Sequence, residues 1–169
     1  LAPGTVKAKR AVIPGSFDPV TLGHLNIIER ACAIFDQVVV AVIENRSKEH
    51  LFSLEERIGM LREAVHGWPT VTIDTFSGLL VEYMREEKAQ VIVRGLRVMS
   101  DFEFELQLAL INHELAPEVE TVFLAASGRY SFLSSRVVKE IASYGGPVAE
   151  FVPAPVEERL RRKFQQERG

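Results

Sequence analysis

Five short runs rich in β-branched residues, at 11–13, 37–43, 70–75, 90–93 and 121–124, are separated by stretches of helical period. Runs this short and this uniformly apolar read as strands covered on both faces, and a helix between successive strands is the crossover that parallel pairing requires. The helices are expected near 23–35, 54–65, 78–87, 101–115, 135–144 and 156–165. Two of them start with a serine followed by a glutamate at the capping-box spacing, Ser53 with Glu56 and Ser100 with Glu103, so those two boundaries are the firmest. The expected architecture is α/β, a doubly wound five-stranded parallel sheet of Rossmann-like type.

A chain of 169 residues with 47% hydrophobic side chains can bury one good core but not two sizeable ones, so a single domain over 10–169 is expected behind a leader at 1–9. The formal charge of -3 offers no broad basic field, which argues against nucleic acid as a partner. No apolar run approaches the ~18 residues of a bilayer span, and the first residues lack the apolar centre of a secretory signal. No membrane partner and a cytoplasmic location are therefore expected. The single cysteine, Cys32, shares a helical stripe with Leu25, Ile28 and Phe35, which places it in the core.

In an open parallel sheet ligands bind beyond the carboxyl ends of the strands, so the residues after each strand are the functional candidates. After the first strand comes PGSFDPVTLGH, Pro14 to His24. Gly15 and Gly23 permit a sharp turn and close approach to a ligand. The helix that follows turns unpaired amides and its positive end toward the gap, which suits a phosphate, and His24 in its first turn suits a neutral hydrogen-bond donor.

The later edge positions supply cations: Lys48 after the second strand, Arg94 and Arg97 around Gly95 after the fourth, and Ser134, Ser135 and Arg136 at a helix start after the fifth. Each taken singly reads as solvated charge or ordinary capping. Gathered at one edge they can neutralise phosphates and hold two reactants together. Neither a Walker loop nor a dinucleotide glycine fingerprint is present. The helix at 101–115 is apolar in two stripes, Phe102, Leu106 and Ala109 on one and Phe104, Leu108, Ile111 and Leu115 on the other. One stripe therefore has to meet a pocket or a partner subunit, and the apolar remainder favours a homo-oligomer. Asp18, His50, His66 and His113 show no metal-ligand spacing.

With PGSFDPVTLGH, the lysine of NRSK, FSGLL, RGLR, DFEFELQLALIN and YSFLSSRVVKEIA in order, the chain from about Arg10 to the last helix resembles the bacterial phosphopantetheine adenylyltransferases. These belong to the nucleotidyltransferase superfamily marked by a glycine-histidine pair after the first strand. The resemblance implies transfer of adenylyl from ATP to 4'-phosphopantetheine, giving pyrophosphate and dephospho-coenzyme A. It further implies Mg2+ carried with ATP, a homohexamer, and dephospho-coenzyme A or coenzyme A as product or inhibitor.

By position it implies acceptor contacts from Ser16, Lys48, Leu79, Leu80, Arg94, Leu108 and Asn112. It implies ATP contacts from Ser16, Phe17, His24, Gly95, Leu96, Arg97, Glu105, Tyr130, Ser131, Phe132, Leu133, Ser134, Ser135 and Arg136, with His24, Lys48 and Arg94 as the catalytic set. Ser16 stands where threonine is frequent, Phe104 where tyrosine is frequent, and Arg136 where serine or threonine is common. A nucleotidyltransferase with a compact acceptor, such as a nicotinate nucleotide or a glycerol phosphate, shares the His24 loop. A module that senses nucleotides without catalysis is the alternative from another class.

Overall fold

The computed structural model describes residues 10–45, 47 and 49–166, except for the side chains of 99–101. The expected leader at 1–9 lies outside the described residues, as do Arg46 and Lys48. Five strands, β1 (Arg10–Gly15), β2 (Gln37–Ile43), β3 (Val71–Phe76), β4 (Val91–Leu96) and β5 (Glu120–Ala125), form one sheet in the order β3-β2-β1-β4-β5. Every neighbouring pair is parallel, as the alternation of strand and helix patterns requires. The order runs outward from β1 to β3 and resumes at β4 on the other side of β1, so β1 and β4 form the switch point.

Among the described residues six α-helices join and follow the strands: α1 (Leu22–Cys32), α2 (Leu54–Ala64), α3 (Leu80–Glu86), α4 (Met99–Leu115), α5 (Ser135–Ser143) and α6 (Ala154–Gln166). The pleat divides the strand side chains between two clusters. Val38, Val40 and Val42 of β2 join Ile28 of α1, Met60 of α2 and Leu160 of α6 on one face. Val39 and Ala41 join Val81 and Met84 of α3 on the other. Cys32 packs against the first cluster with Leu25, beside the buried Ile28 and Phe35.

The two capping expectations part company. Ser53 and Glu56 exchange the reciprocal bonds of a capping box, with Ser53 N–H donating to Glu56 at 2.8 Å and Glu56 N–H to Ser53 Oγ at 3.2 Å. Ser100 is not a cap: α4 begins at Met99 after an extended Val98, with no side-chain cap. β4 ends at Leu96, so the turn into α4 is too short to deliver Ser100 outside the helix. The two-stripe reading of α4 is exceeded, because Phe102, Phe104, Leu106, Leu108, Leu110, Ile111 and Leu115 are all exposed.

Candidate active site

The site begins where the sheet fails to close. β1 and β4 pair at Ala11 with Val91 and at Val12 with Ile92, whereas β1 stays paired with β2 as far as Gly15 with Val42. Pro14 has no N–H with which to extend a ladder. Its carbonyl accepts a bond from Arg94 Nη1 at 2.9 Å, so a side chain spans the opening. A cavity of about 300 Å3 sits there, with Ile13, Pro14 and Gly15 on one strand and Val93, Arg94 and Gly95 on the other among its walls.

Phe17 carries the turn that follows β1, with φ at 48° and its ring buried. The sequence reading gave that turn to glycine. Gly15 instead ends β1 and leaves room for this ring, because a Cβ on it would meet Phe17 at 3.0 Å. At Gly95, a Cβ would meet Ile27 of α1 at 3.0 Å, so that glycine admits close packing of β4 on α1.

Thr21 caps α1, accepting from His24 N–H through Oγ1 at 3.3 Å. The return bond of this capping box is made by an imidazole: Thr21 N–H donates to His24 Nδ1 at 3.0 Å. A backbone amide can only donate, so Nδ1 is the acceptor and the ring proton belongs on Nε2. Desolvation, with help from the Arg97 and Arg94 charges, brings the His24 pKa down to about 4. The edge of Phe17 also flanks the ring, with centroids 5.0 Å apart. His24 is thus a neutral, oriented N–H donor at neutral pH.

Arg94 is held on both sides. Besides Pro14, it donates to Glu105 from Nε at 2.6 Å and from Nη2 at 2.5 Å. Arg97 donates to the Leu133 carbonyl at 2.8 Å. At the start of α5 both serines are committed: Ser134 Oγ accepts from Val137 N–H at 3.2 Å, and Ser135 Oγ donates to the Pro19 carbonyl at 2.7 Å. A narrower cavity of about 40 Å3 adjoins, lined by Leu80, Leu108, Ala109 and Asn112 together with Arg94 and Glu105.

The chain matches the cytidylyltransferase-like family over residues 12–141. It is 56% identical over 156 residues to the phosphopantetheine adenylyltransferase of Desulforudis audaxviator, covering 92% of this chain and 96% of that protein. The phosphopantetheine adenylyltransferases of Carboxydothermus hydrogenoformans and Dictyoglomus thermophilum are 55% and 56% identical, with 93% and 92% of this chain and 97% and 94% of theirs covered. The chain belongs to the phosphopantetheine adenylyltransferase family. A putative nicotinate-nucleotide adenylyltransferase from Vibrio parahaemolyticus superposes with a TM-score of 0.66 over 90% of each chain at 17% identity, a likeness of fold.

Of the residues expected at the site of such an adenylyltransferase, Ser16, Phe17, His24, Arg94, Gly95, Arg97, Glu105, Tyr130, Leu133, Ser134 and Ser135 line the larger cavity. Leu80, Leu108 and Asn112 line the narrower one. Leu96, Ser131, Phe132 and Arg136 line neither cavity, and Phe132 is turned out against Phe151. Leu79 is 54% exposed at the N-cap of α3. Lys48 lies outside the described residues.

The sequence reading missed a layer of buried polar residues beneath the loop. Asp18 accepts from Leu51 N–H at 3.0 Å, Phe52 N–H at 2.9 Å and Lys139 Nζ at 2.8 Å. Burial raises its pKa, but the Lys139 and amide bonds outweigh that, and the carboxyl lies below its ordinary value. Arg57, 3% exposed, donates to the carbonyls of Ser16 at 2.7 Å and Ile43 at 3.2 Å. A signal was available: Arg57 shares the buried stripe of α2 with Met60 and Leu61, where a charge demands a partner.

Proposed function

We propose that the chain catalyses attack of the phosphate of 4'-phosphopantetheine on the α-phosphorus of ATP. An oxygen–phosphorus bond forms to the acceptor, the bond from the α-phosphorus to the α,β-bridging oxygen breaks, and pyrophosphate leaves with dephospho-coenzyme A as the other product. Family membership supports the reaction. The observation that carries the site is the convergence of the His24 donor and the tethered Arg94 on one cavity at the β1–β4 opening.

The acceptor, a phosphate monoester with a second pKa of about 6, is mostly dianionic at neutral pH and needs no base. Catalysis then consists of alignment and of stabilising charge on the α-phosphoryl oxygens. His24 Nε2–H and Arg97 serve the nucleotide, with backbone amides at the α1 and α5 starts. Arg94 and Lys48 serve the acceptor phosphate, while Leu80, Leu108 and Asn112 serve its pantetheine arm.

Among the described residues no three His, Cys, Asp or Glu side chains gather as a metal site. Glu105, the carboxylate lining the main cavity, is already engaged by Arg94. Such a donor set fits a Mg2+ that takes its oxygens from ATP and water, the ion's usual habit. Bound there, it would neutralise phosphate charge. No helix among the described residues is long and apolar enough to cross a membrane, and the reading is of a cytoplasmic enzyme. The exposed apolar surface of α4 supports assembly with further copies of this chain, and the homohexamer is what the family resemblance implies for it.

Pyrophosphate release from ATP tests the reading directly, with phosphopantetheine compared against nicotinate mononucleotide and glycerol 3-phosphate. Release confined to phosphopantetheine is the expected result. Equal release with a compact acceptor would move the chain to a different substrate.

A further inference from the structure

We infer that Arg57 is a positioning residue for the transfer: from beneath the loop it ties the Ser16 carbonyl to the end of β2 and so fixes the Ser16 wall of the larger cavity. This rests on the reading above. Ser16 lines that cavity. Arg57 is buried and lines neither cavity, so it acts through Ser16 rather than on a substrate.

β1 parts from its neighbours just before the loop. Its pairing with β4 reaches Val12 with Ile92, and its pairing with β2 reaches Gly15 with Val42. In that register Ser16 comes next, opposite Ile43. Arg57 Nη1 takes the place of the missing rung, donating to the Ser16 carbonyl at 2.7 Å and to the Ile43 carbonyl at 3.2 Å. Ile43 is itself paired with Phe76 of β3. The guanidinium therefore carries the stiffness of the sheet into a segment that has left it.

The residue that follows shows why a tie is needed there. Phe17 turns the chain at φ 48°, a conformation that an aromatic residue keeps only where its surroundings impose it. Arg57 holds the residue before it. On the other side, Asp18 accepts from the amides of Leu51 and Phe52, which lead into α2. The start of α2 thus grips the loop on both flanks of Phe17. Packing alone does not call for a cation at this place. Arg57 shares the buried stripe of α2 with Met60 and Leu61, where an apolar residue of similar volume would avoid the cost of burying a charge. Burial draws the Arg57 pKa down, against the opposing charges of Asp18 and Glu55.

Steady-state kinetics of Arg57→Met tests this, with Arg57→Lys and Leu61→Ala beside it. Methionine fills the stripe but leaves both carbonyls without their donor. We expect kcat to fall about tenfold, because one wall of an aligned site is misplaced, with a smaller change in either KM. Both bonds come from a single nitrogen, which an ammonium with its three donors can replace. Arg57→Lys should therefore return kcat to within about threefold of the wild type. Leu61→Ala opens a void in the same stripe, so it should lower the unfolding midpoint while kcat stays within about threefold. Four results would each overturn the inference while the wild type still turns over: an Arg57→Met enzyme as fast as the wild type, a loss confined to KM, an Arg57→Lys enzyme as slow as Arg57→Met, or an equal fall of kcat in Leu61→Ala. Should Arg57→Met not fold, Arg57→Gln, polar but shorter, is read by the same criteria. A wild type that releases no pyrophosphate with phosphopantetheine would overturn the functional reading and this inference together.

Discussion

Helices α1 and α4 both put a side chain into the larger cavity, His24 and Glu105, yet they are held in opposite ways. α1 is fixed by its own chain: Thr21 and His24 close its first turn, Ile28 and Ala31 are fully buried, and Leu22 N–H donates to the Phe151 carbonyl at 2.8 Å. α4, the longest helix among the described residues at 17 residues, has no side-chain cap at its N-cap Val98 and leaves apolar residues exposed, with Leu110 at 62% and Ile111 at 55%. The difference separates a donor whose geometry is complete within one chain from a carboxylate, Glu105, carried by a helix with exposed apolar residues.

Removing the α1 donor should have the largest effect. His24→Ala should lower kcat by roughly 10²- to 10³-fold, with a smaller change in either KM, because a donor aimed at developing charge acts mainly in the transition state. Pyrophosphate-coupled kinetics measures this. A loss confined to KM would reduce His24 to a binding group and break the contrast, since α1 would then contribute no more than affinity.

The next largest effect belongs to the open side of α4. Leu110→Glu places a charge in the exposed apolar patch and should cost at least ~2 kcal/mol at each contact between copies, as a central interface residue does. Sedimentation should show the wild-type assembly replaced by smaller species, with each subunit's helical signal retained. A wild type that sediments as a monomer would show that α4 is simply an exposed helix.

The sheet and the placement of His24, Arg94 and Arg97 around one cavity were legible because their signals are local: β-branched runs, strand-to-helix glycines, a histidine in a first helical turn. The polar layer was not legible because its partners are far apart in the chain. Asp18 meets Leu51, Phe52 and Lys139 only after the loop, α2 and α5 have docked. Ser100 misled for a related reason: a capping pattern records what a segment can do, and the short passage from β4 into α4 leaves no room for it. The β1–β4 opening lay between these cases. Pro14 was visible, but the departure of β4 from it depends on the sheet.

Asp18→Asn probes the layer beneath the α1 loop, where one carboxylate ties three segments. The amide keeps an acceptor oxygen but loses the charge paired with Lys139, and about 2 kcal/mol of stability should go with it. Denaturant unfolding at pH 7 measures it. Thr21→Val is the milder companion: it removes the Oγ1 cap and keeps the amide that binds Nδ1. It should cost about 1 kcal/mol and leave kcat within about threefold. A kcat loss as large as that of His24→Ala would place the hydroxyl, rather than the backbone amide, in charge of the imidazole's orientation.

The smallest expected change is an absence of one. With the His24 pKa near 4, the imidazole stays a neutral donor from roughly pH 5.5 upward, and kcat should carry no limb from it near its ordinary pKa. Stability behaves differently. The unfolded chain takes up a proton at about pH 6.5 that the folded ring resists, so more protons are bound when unfolded and stability falls as pH drops from there toward 4. Asp18, whose folded pKa is also depressed, adds to the loss as pH falls through its unfolded value and below. The His24 ring resonances in a histidine-labelled sample should accordingly hold still between about pH 8 and 5.5, while the unfolding midpoint begins to decline once the pH drops below about 6.5. A ring that titrates near 6.5 together with kcat would make the imidazole a proton carrier or a cation. The α1 side of the site would then depend on pH as well as on its own fold.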